Sequence, residues 1–231
     1  SRSGGSQGES SIGHFGPSEW AMTTAVAAMW GSSFLWIAIA IDHVETGVVP
    51  LGRCLFGALV LVMFPAARRR IERQDWTRFV VLAALWMAIP FLLYPIAEST
   101  VSSSITGMIN GGLPVVSAVV TAIWVRRAPS VFRMVAVLVG FAGIAVTSIT
   151  SVDEGTSADL KGIVLLAIAL LCYALAANIA RPMYQKYGSL APMLWMAVIA
   201  GVLSMPWGVF SLVRGGIDLK ALGALFMLGA M

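Results

Sequence analysis

Between Lys161 and Arg181 the chain reads GIVLLAIALLCYALAANIA, residues 162–180. None of these nineteen positions is charged. As an α-helix the run rises about 28 Å, close to the roughly 30 Å of hydrocarbon in a bilayer. It holds no Gly-Pro or Asn-Gly turn signal, and Ala and Leu dominate, which are strong helix formers. Such a stretch, apolar on every side, reads as a membrane span rather than as a surface helix.

The rest of the chain repeats this pattern. Apolar runs occupy approximately 20–41, 49–66, 79–97, 101–124, 131–150, 161–180 and 190–213, and an eighth begins at 219. Of the 231 residues, 58% are hydrophobic and only 11% are charged. The mean hydropathy is +0.87. A soluble domain carries about 25% charged residues. This chain cannot cover a water-facing surface, so a soluble enzyme and a nucleic-acid-binding module are excluded despite the net charge of +4. Cys54 and Cys172 both sit inside apolar runs and read as small core residues. Residues 1–19 are polar and rich in Gly and Ser, and read as a disordered tail without the basic start of a signal peptide.

Orientation follows from the cations. With the N-terminus in the cytoplasm, eleven Lys and Arg fall inside, most densely at Arg68, Arg69, Arg70, Arg73 and Arg78. Lys161, Arg214 and Lys220 fall outside, and Arg53 lies within a span. The positive-inside rule therefore predicts a multi-pass protein of the inner membrane with a cytoplasmic N-terminus.

Self-comparison finds a weak match at a constant offset of 142 residues. It lays Pro50-Leu51-Gly52-Arg53 over Pro192-Met193-Leu194-Trp195, and Trp30-Gly31 over Cys172-Tyr173. Five spans separate the copies, so the second copy crosses the membrane in the opposite sense. Inverted repeats are a transporter signature, with the substrate site where they meet.

Trp30-Gly31-Ser32-Ser33-Phe34, the Pro50-Leu51-Gly52-Arg53 opening of the second run, and the Pro114-containing fourth run ending in Arg126-Arg127 carry a family resemblance. So does Gly140-Phe141-Ala142-Gly143-Ile144 in the fifth run. Together they resemble the EamA-type transporters of the drug/metabolite transporter superfamily over about residues 20–231. The resemblance implies an all-α polytopic membrane helical bundle of two inverted five-helix repeats. It assigns 20–150 to a first repeat and 151–231 to an incomplete second. Of the ten helices so implied, about seven and a half are expected here, because 219–231 rises only about 20 Å. On that reading the polypeptide is truncated within its second repeat.

The implied function is secondary transport of a small organic metabolite or drug-like solute by alternating access. The partners expected are that solute and the lipid bilayer, not nucleic acid, and no cofactor is expected. The only histidines, His14 and His43, lie outside the spans, and no G-x-x-x-x-G-K-[ST] loop is present. Histidine-based membrane catalysis and ATP-driven transport therefore lack their residues. A non-transporting scaffold or an inactive fragment remains the alternative.

Arg53 is the sharpest candidate, because an intramembrane charge is costly and turns to a cavity or a partner. It reads either as a cation holding a substrate carboxylate or closing a gate, or as a side chain snorkelling to headgroups. Glu98 reads foremost as a solvated loop acid, and otherwise as a partner of Arg53 or a proton-coupling group. The run Asn110-Gly111-Gly112-Leu113-Pro114 predicts a helix break near mid-span, since Pro114 lacks an N–H and clashes with the Asn110 carbonyl. The Gly107/Gly111 pair fits close packing equally well. Trp30, Tyr94, Tyr173 and Trp195, with Asn178, are candidates to line a cavity; packing is the competing reading. Trp20, Trp76 and Trp207 read as interfacial belts, and Pro90 and Pro95 as kinks in the third run.

Overall fold

The computed structural model describes residues 16–126, 135, 139 and 159–230. Within them the chain forms seven helices: α1 (Pro17–Ile41), α2 (Val48–Val62), α3 (Arg73–Glu98), α4 (Ser103–Val125), α5 (Leu160–Tyr187), α6 (Leu190–Gly215) and α7 (Leu219–Ala230). Five are long and apolar enough to cross a membrane, while α2 and α7 are shorter. The molecule is an all-α membrane bundle. The run 131–150, with Gly140 to Ile144, lies outside the described residues apart from Val135 and Val139.

Local chemistry sets the ends. Helix α1 starts at Pro17, where a missing N–H does no harm, so the helix takes in the last three residues assigned to the polar tail. Helix α2 stops at Val62 rather than 66, because Pro65 forces Phe64 into the extended region (φ −91°, ψ 119°). Gly188 (φ +78°, ψ −173°) and Gly216 (φ +70°, ψ −168°) close α5 and α6 in an extended, positive-φ conformation that favours glycine.

Two helices are irregular. Helix α3 opens with a 3-10 turn at Arg73–Asp75 and carries a π turn at Ala84–Ala88, just before Pro90. Proline has no N–H to donate, and the wider turn absorbs the missing bond. Helix α4 is two pieces, Ser103–Gly111 and Leu113–Val125, joined at Gly112. Pro114 stands in the first turn of the second piece, where proline is tolerated.

Helix α2 packs against α6 and α7, α3 against α5 and α6, and α4 against α5. Asp159 N–H donates to the Thr100 carbonyl (3.4 Å), and Tyr187 reaches Glu72, so α5 runs antiparallel to α3. The bundle therefore has two distinct ends. One carries the Arg68–Arg78 segment and the α5–α6 turn, and is called the basic end below. The other gathers Asp42 to Glu45, Glu98, Asp159 and Asp218.

Buried side chains form two clusters along the bundle. One, toward the basic end, contains Cys54, Phe79, Leu82, Ala83, Met183, Tyr187 and Met196. The other contains Ile37, Val48, Val49, Tyr94, Leu166, Leu170, Leu225 and Leu228. Many large apolar side chains point outward on α1 and α6, among them Val26, Leu35, Val202 and Phe210. A soluble protein avoids apolar faces on this scale; a bilayer covers them.

Candidate functional site

Arg53 lies in the second turn of α2, about 8 Å along the helix from its start. Gly52 and Cys54 on either side are buried, so this stretch of α2 is enclosed by other helices. The Arg53 side chain is half-buried and lays its guanidinium over the Phe91 ring of α3, 4.1 Å from the centroid. Tyr94 and Tyr173 are near enough to feel its charge. No Asp or Glu forms an ion pair with it among the described residues. A guanidinium held among apolar helices without a counter-charge is electrostatically unfinished.

Around it stand groups from four helices. Tyr94 of α3 is buried, and its hydroxyl donates to Asn110 Oδ1 of α4 at 2.6 Å. The Tyr94 ring meets Tyr173 of α5 at 6.1 Å and Phe34 of α1 at 5.7 Å between centroids. Asn110 sits directly before the break at Gly112. A Cβ at Gly112 would meet the Ile109 carbonyl at 3.0 Å, so the tight turn there favours glycine. The break frees the α4 backbone from the Pro114 clash and presents Asn110 beside Tyr94. The result is a cation flanked by aromatic rings, a phenol and an amide: groups able to hold a small molecule with a negative head and an apolar body.

Four of the candidate residues are thus brought together: Arg53, Tyr94, Asn110 and Tyr173. Three are not. Trp30 is 56% exposed, in the stretch 17–31 of α1 where every residue is exposed. Asn178 spends its amide on the Ala174 carbonyl of its own helix (2.9 Å). Trp195 lies at the basic end, where its Nε1–H donates to the Arg69 carbonyl (3.0 Å) and its ring meets Trp76 edge-on. Glu98 neither pairs with Arg53 nor lies in solvent. It is buried at the end of α3, with Oε2 accepting from the Ser103 hydroxyl (3.0 Å) and Oε1 without a hydrogen-bond partner. Ser102 caps the next helix one turn away and folds the chain over it, which is why a loop acid becomes buried. Phe91 and Phe34 were not legible as site residues, because an apolar ring in an apolar helix carries no signal of its own. Cys54 and Cys172 are buried and unpaired.

Residues 19–149 match the EamA-like transporter family. The chain belongs to that family. Its similarity to uncharacterized transporters extends beyond the matched segment. An uncharacterized transporter of Archaeoglobus fulgidus is 18% identical over 211 residues, covering 91% of this chain and 75% of the relative. The uncharacterized transporters YcxC and YvbV of Bacillus subtilis are 25% and 23% identical over 189 residues. These alignments cover 80% and 81% of this chain but only 60% and 59% of those relatives, so it spans about three fifths of their length. Family membership and the five long apolar helices make it a multi-pass membrane protein of a transporter family. Three of the four clustered residues, Arg53, Tyr94 and Asn110, lie within the EamA match, and α5 contributes Tyr173 from beyond it.

Proposed function

We propose that the protein is a secondary transporter of a small organic anion, with Arg53 holding the substrate's carboxylate. On this reading two inverted repeats rock about the Arg53 cluster in alternating access, across a cytoplasmic membrane with the N-terminus inside. The single observation that carries the substrate class is the half-buried guanidinium without a carboxylate partner. A substrate carboxylate would complete it, and Tyr94, Tyr173 and Phe91 would enclose the apolar remainder. The opposite senses of α1 and α5 support the inverted repeats, because the 142-residue match pairs those two helices.

The test is uptake into proteoliposomes of labelled carboxylates, neutral solutes and organic cations, with native protein and with Arg53→Lys and Arg53→Gln. Carboxylates should be carried and should compete with one another. Arg53→Gln should weaken their uptake roughly ten- to a hundredfold, the value of a charge-assisted hydrogen bond of about 1.5–3 kcal/mol. Arg53→Lys should retain part of it, since the charge survives but the fork geometry does not. Carboxylate uptake indifferent to Arg53→Gln would overturn the reading.

A further inference from the structure

A second polar cluster closes the basic end, and the Arg53 site does not use it. Asp75, 5% exposed, stands where the 3-10 turn enters the α-helical part of α3. Lys186 Nζ, in the last turn of α5, lies 2.8 Å from Asp75 Oδ2 and 2.8 Å from Glu72 Oε2. The Tyr187 hydroxyl donates to the same Asp75 oxygen (2.7 Å) and accepts the Glu72 backbone N–H (3.1 Å). Arg78 Nη1 approaches the other Asp75 oxygen at 3.7 Å, and the Arg69 guanidinium lies 5.6 Å from the Tyr187 ring. Trp195 adds its bond to the Arg69 carbonyl. Each long tie joins residues 69–75, inside the EamA match, to residues 186–195, beyond it.

Directly beneath lies an apolar plug. Phe79, Leu82, Met183 and Met196 are fully buried and fill the space between this cluster and Cys54, the neighbour of Arg53. A solute could not pass from Arg53 to the basic end while the plug and the clasp above it stay closed.

We infer that Asp75, Lys186 and Tyr187 form the gate at the basic end, a clasp between the two parts of the chain that must part for a solute to leave Arg53 on that side. This rests on the transport reading above. The chemistry suits reversible closure. Lys186 and Glu72 have side chains 36% and 53% exposed, so water replaces their partners readily when the clasp opens. Exposed ion pairs add little net stability but fix geometry. Asp75 is the exception, buried when closed, held by hydrogen bonds from Lys186 and Tyr187 and approached by the Arg78 charge, so the clasp closes in one register.

Cys54 reports the state of the gate without any substrate. In a Cys172→Ser background, it is 1% exposed beneath the clasp and should react slowly with an impermeant alkylating reagent applied at the basic end. Asp75→Asn and Lys186→Met should each speed alkylation roughly tenfold, as when a minor open state rises from about 1% to about 10%. The exchange Asp75→Lys with Lys186→Asp should restore slow labelling. Tyr187→Phe removes only a hydroxyl and guards against misfolding; it should give a smaller increase. Unchanged Cys54 labelling in Tyr187→Phe and in every variant that elutes as native protein would overturn the gate, whatever the flux. Faster labelling alongside carboxylate uptake indifferent to Arg53→Gln would leave the gate standing and remove the substrate assignment.

Discussion

The two ends of the bundle are closed by different physics. At the basic end, a ring of hydrogen bonds among Glu72, Asp75, Lys186 and Tyr187 sits over a plug of Phe79, Leu82 and Met183. At the opposite end, α2, α6 and α7 meet through small residues. Leu51 lies against Gly208 and Trp207 against Gly47 there, and farther into the bundle the α7 backbone at Gly229 meets the α2 backbone at Arg53 and Gly57. Among the described residues, the polar ties at these three helices are His43 Nδ1 to Asp218 Oδ2 at 2.8 Å and Asp218 capping α7 through the Ala221 N–H at 2.7 Å, while Ser103 to Glu98 and Asp159 to Thr100 tie the neighbouring helices. Water can replace hydrogen bonds, but it cannot replace shape. The basic end is therefore built to part and the opposite end to stay together unless a helix tilts.

The largest effect should come from spoiling shape. A Cβ at Gly208 would stand 2.6 Å from the Leu51 Cβ and 3.2 Å from the Gly47 carbonyl. Overpacking costs about 1–3 kcal/mol, so Gly208→Leu should lower the Tm in detergent by roughly 2–12 °C. A Tm unchanged by Gly208→Leu would mean that close packing does not hold this end.

Acid should separate the two ends. The Glu72 carboxyl is held below its ordinary value of 4.5, first by the Lys186 hydrogen bond and then by Gln74. The charges facing it are Lys186 and Asp75, with Arg78 beyond Asp75. A lowered value means that the stabilisation is complete above 4.5 and is lost as the pH falls through the lowered value. Spin labels at Arg73 and Ser189 should move apart over that acid range, whereas labels at Thr46 and Ile217 should hold their distance. Asp218 is also held below the ordinary carboxylate value, chiefly by the Ala221 N–H, but packing rather than charge fixes its neighbourhood. Equal movement at both ends would erase the distinction.

The smallest effects belong to the exposed ties. Asp218→Ala should lower the Tm by a few degrees, roughly what a lost helix cap gives, and Asp218→Asn by less because Asn still caps. His43→Gln should leave the Tm unchanged within error, as exposed pairs contribute little.

The helices were legible because a bilayer imposes a plain rule of length and charge. The run 20–41 became Pro17–Ile41, and the run from 219 became Leu219–Ala230. Residue facing was less legible. Helix α1 is apolar on every side, so nothing in its periodicity says that its first half, with Trp30, stays exposed all round while Phe34, one turn on along the same face, reaches the core. Tyr94, Asn110 and Tyr173 stood out as polar tips in apolar runs, and the structure sets them side by side. The basic-end clasp left no local trace. Asp75 and Lys186 are 111 positions apart, and each read alone is an ordinary loop charge. Positive-inside counting used Lys186 for orientation and passed over its pairing with Asp75.

The π turn of α3 gives that helix a phase shift. An α-helix advances about 100° per residue, so one extra residue in a turn rotates everything after it by about that angle. Below Ala84, α3 aims Phe79, Leu82 and Ala83 into the plug; above Ala88, Phe91 borders the plug and lies under the Arg53 guanidinium, and Tyr94 reaches Asn110. One rod thus addresses two clients with two faces that a regular helix would not align. Deleting a single residue between Ala84 and Ala88 would turn the upper half like a key and carry Tyr94 away from Asn110, with no side chain of the site altered. In this architecture the proposed site can be rearranged by an insertion or deletion one full turn away from any of its side chains.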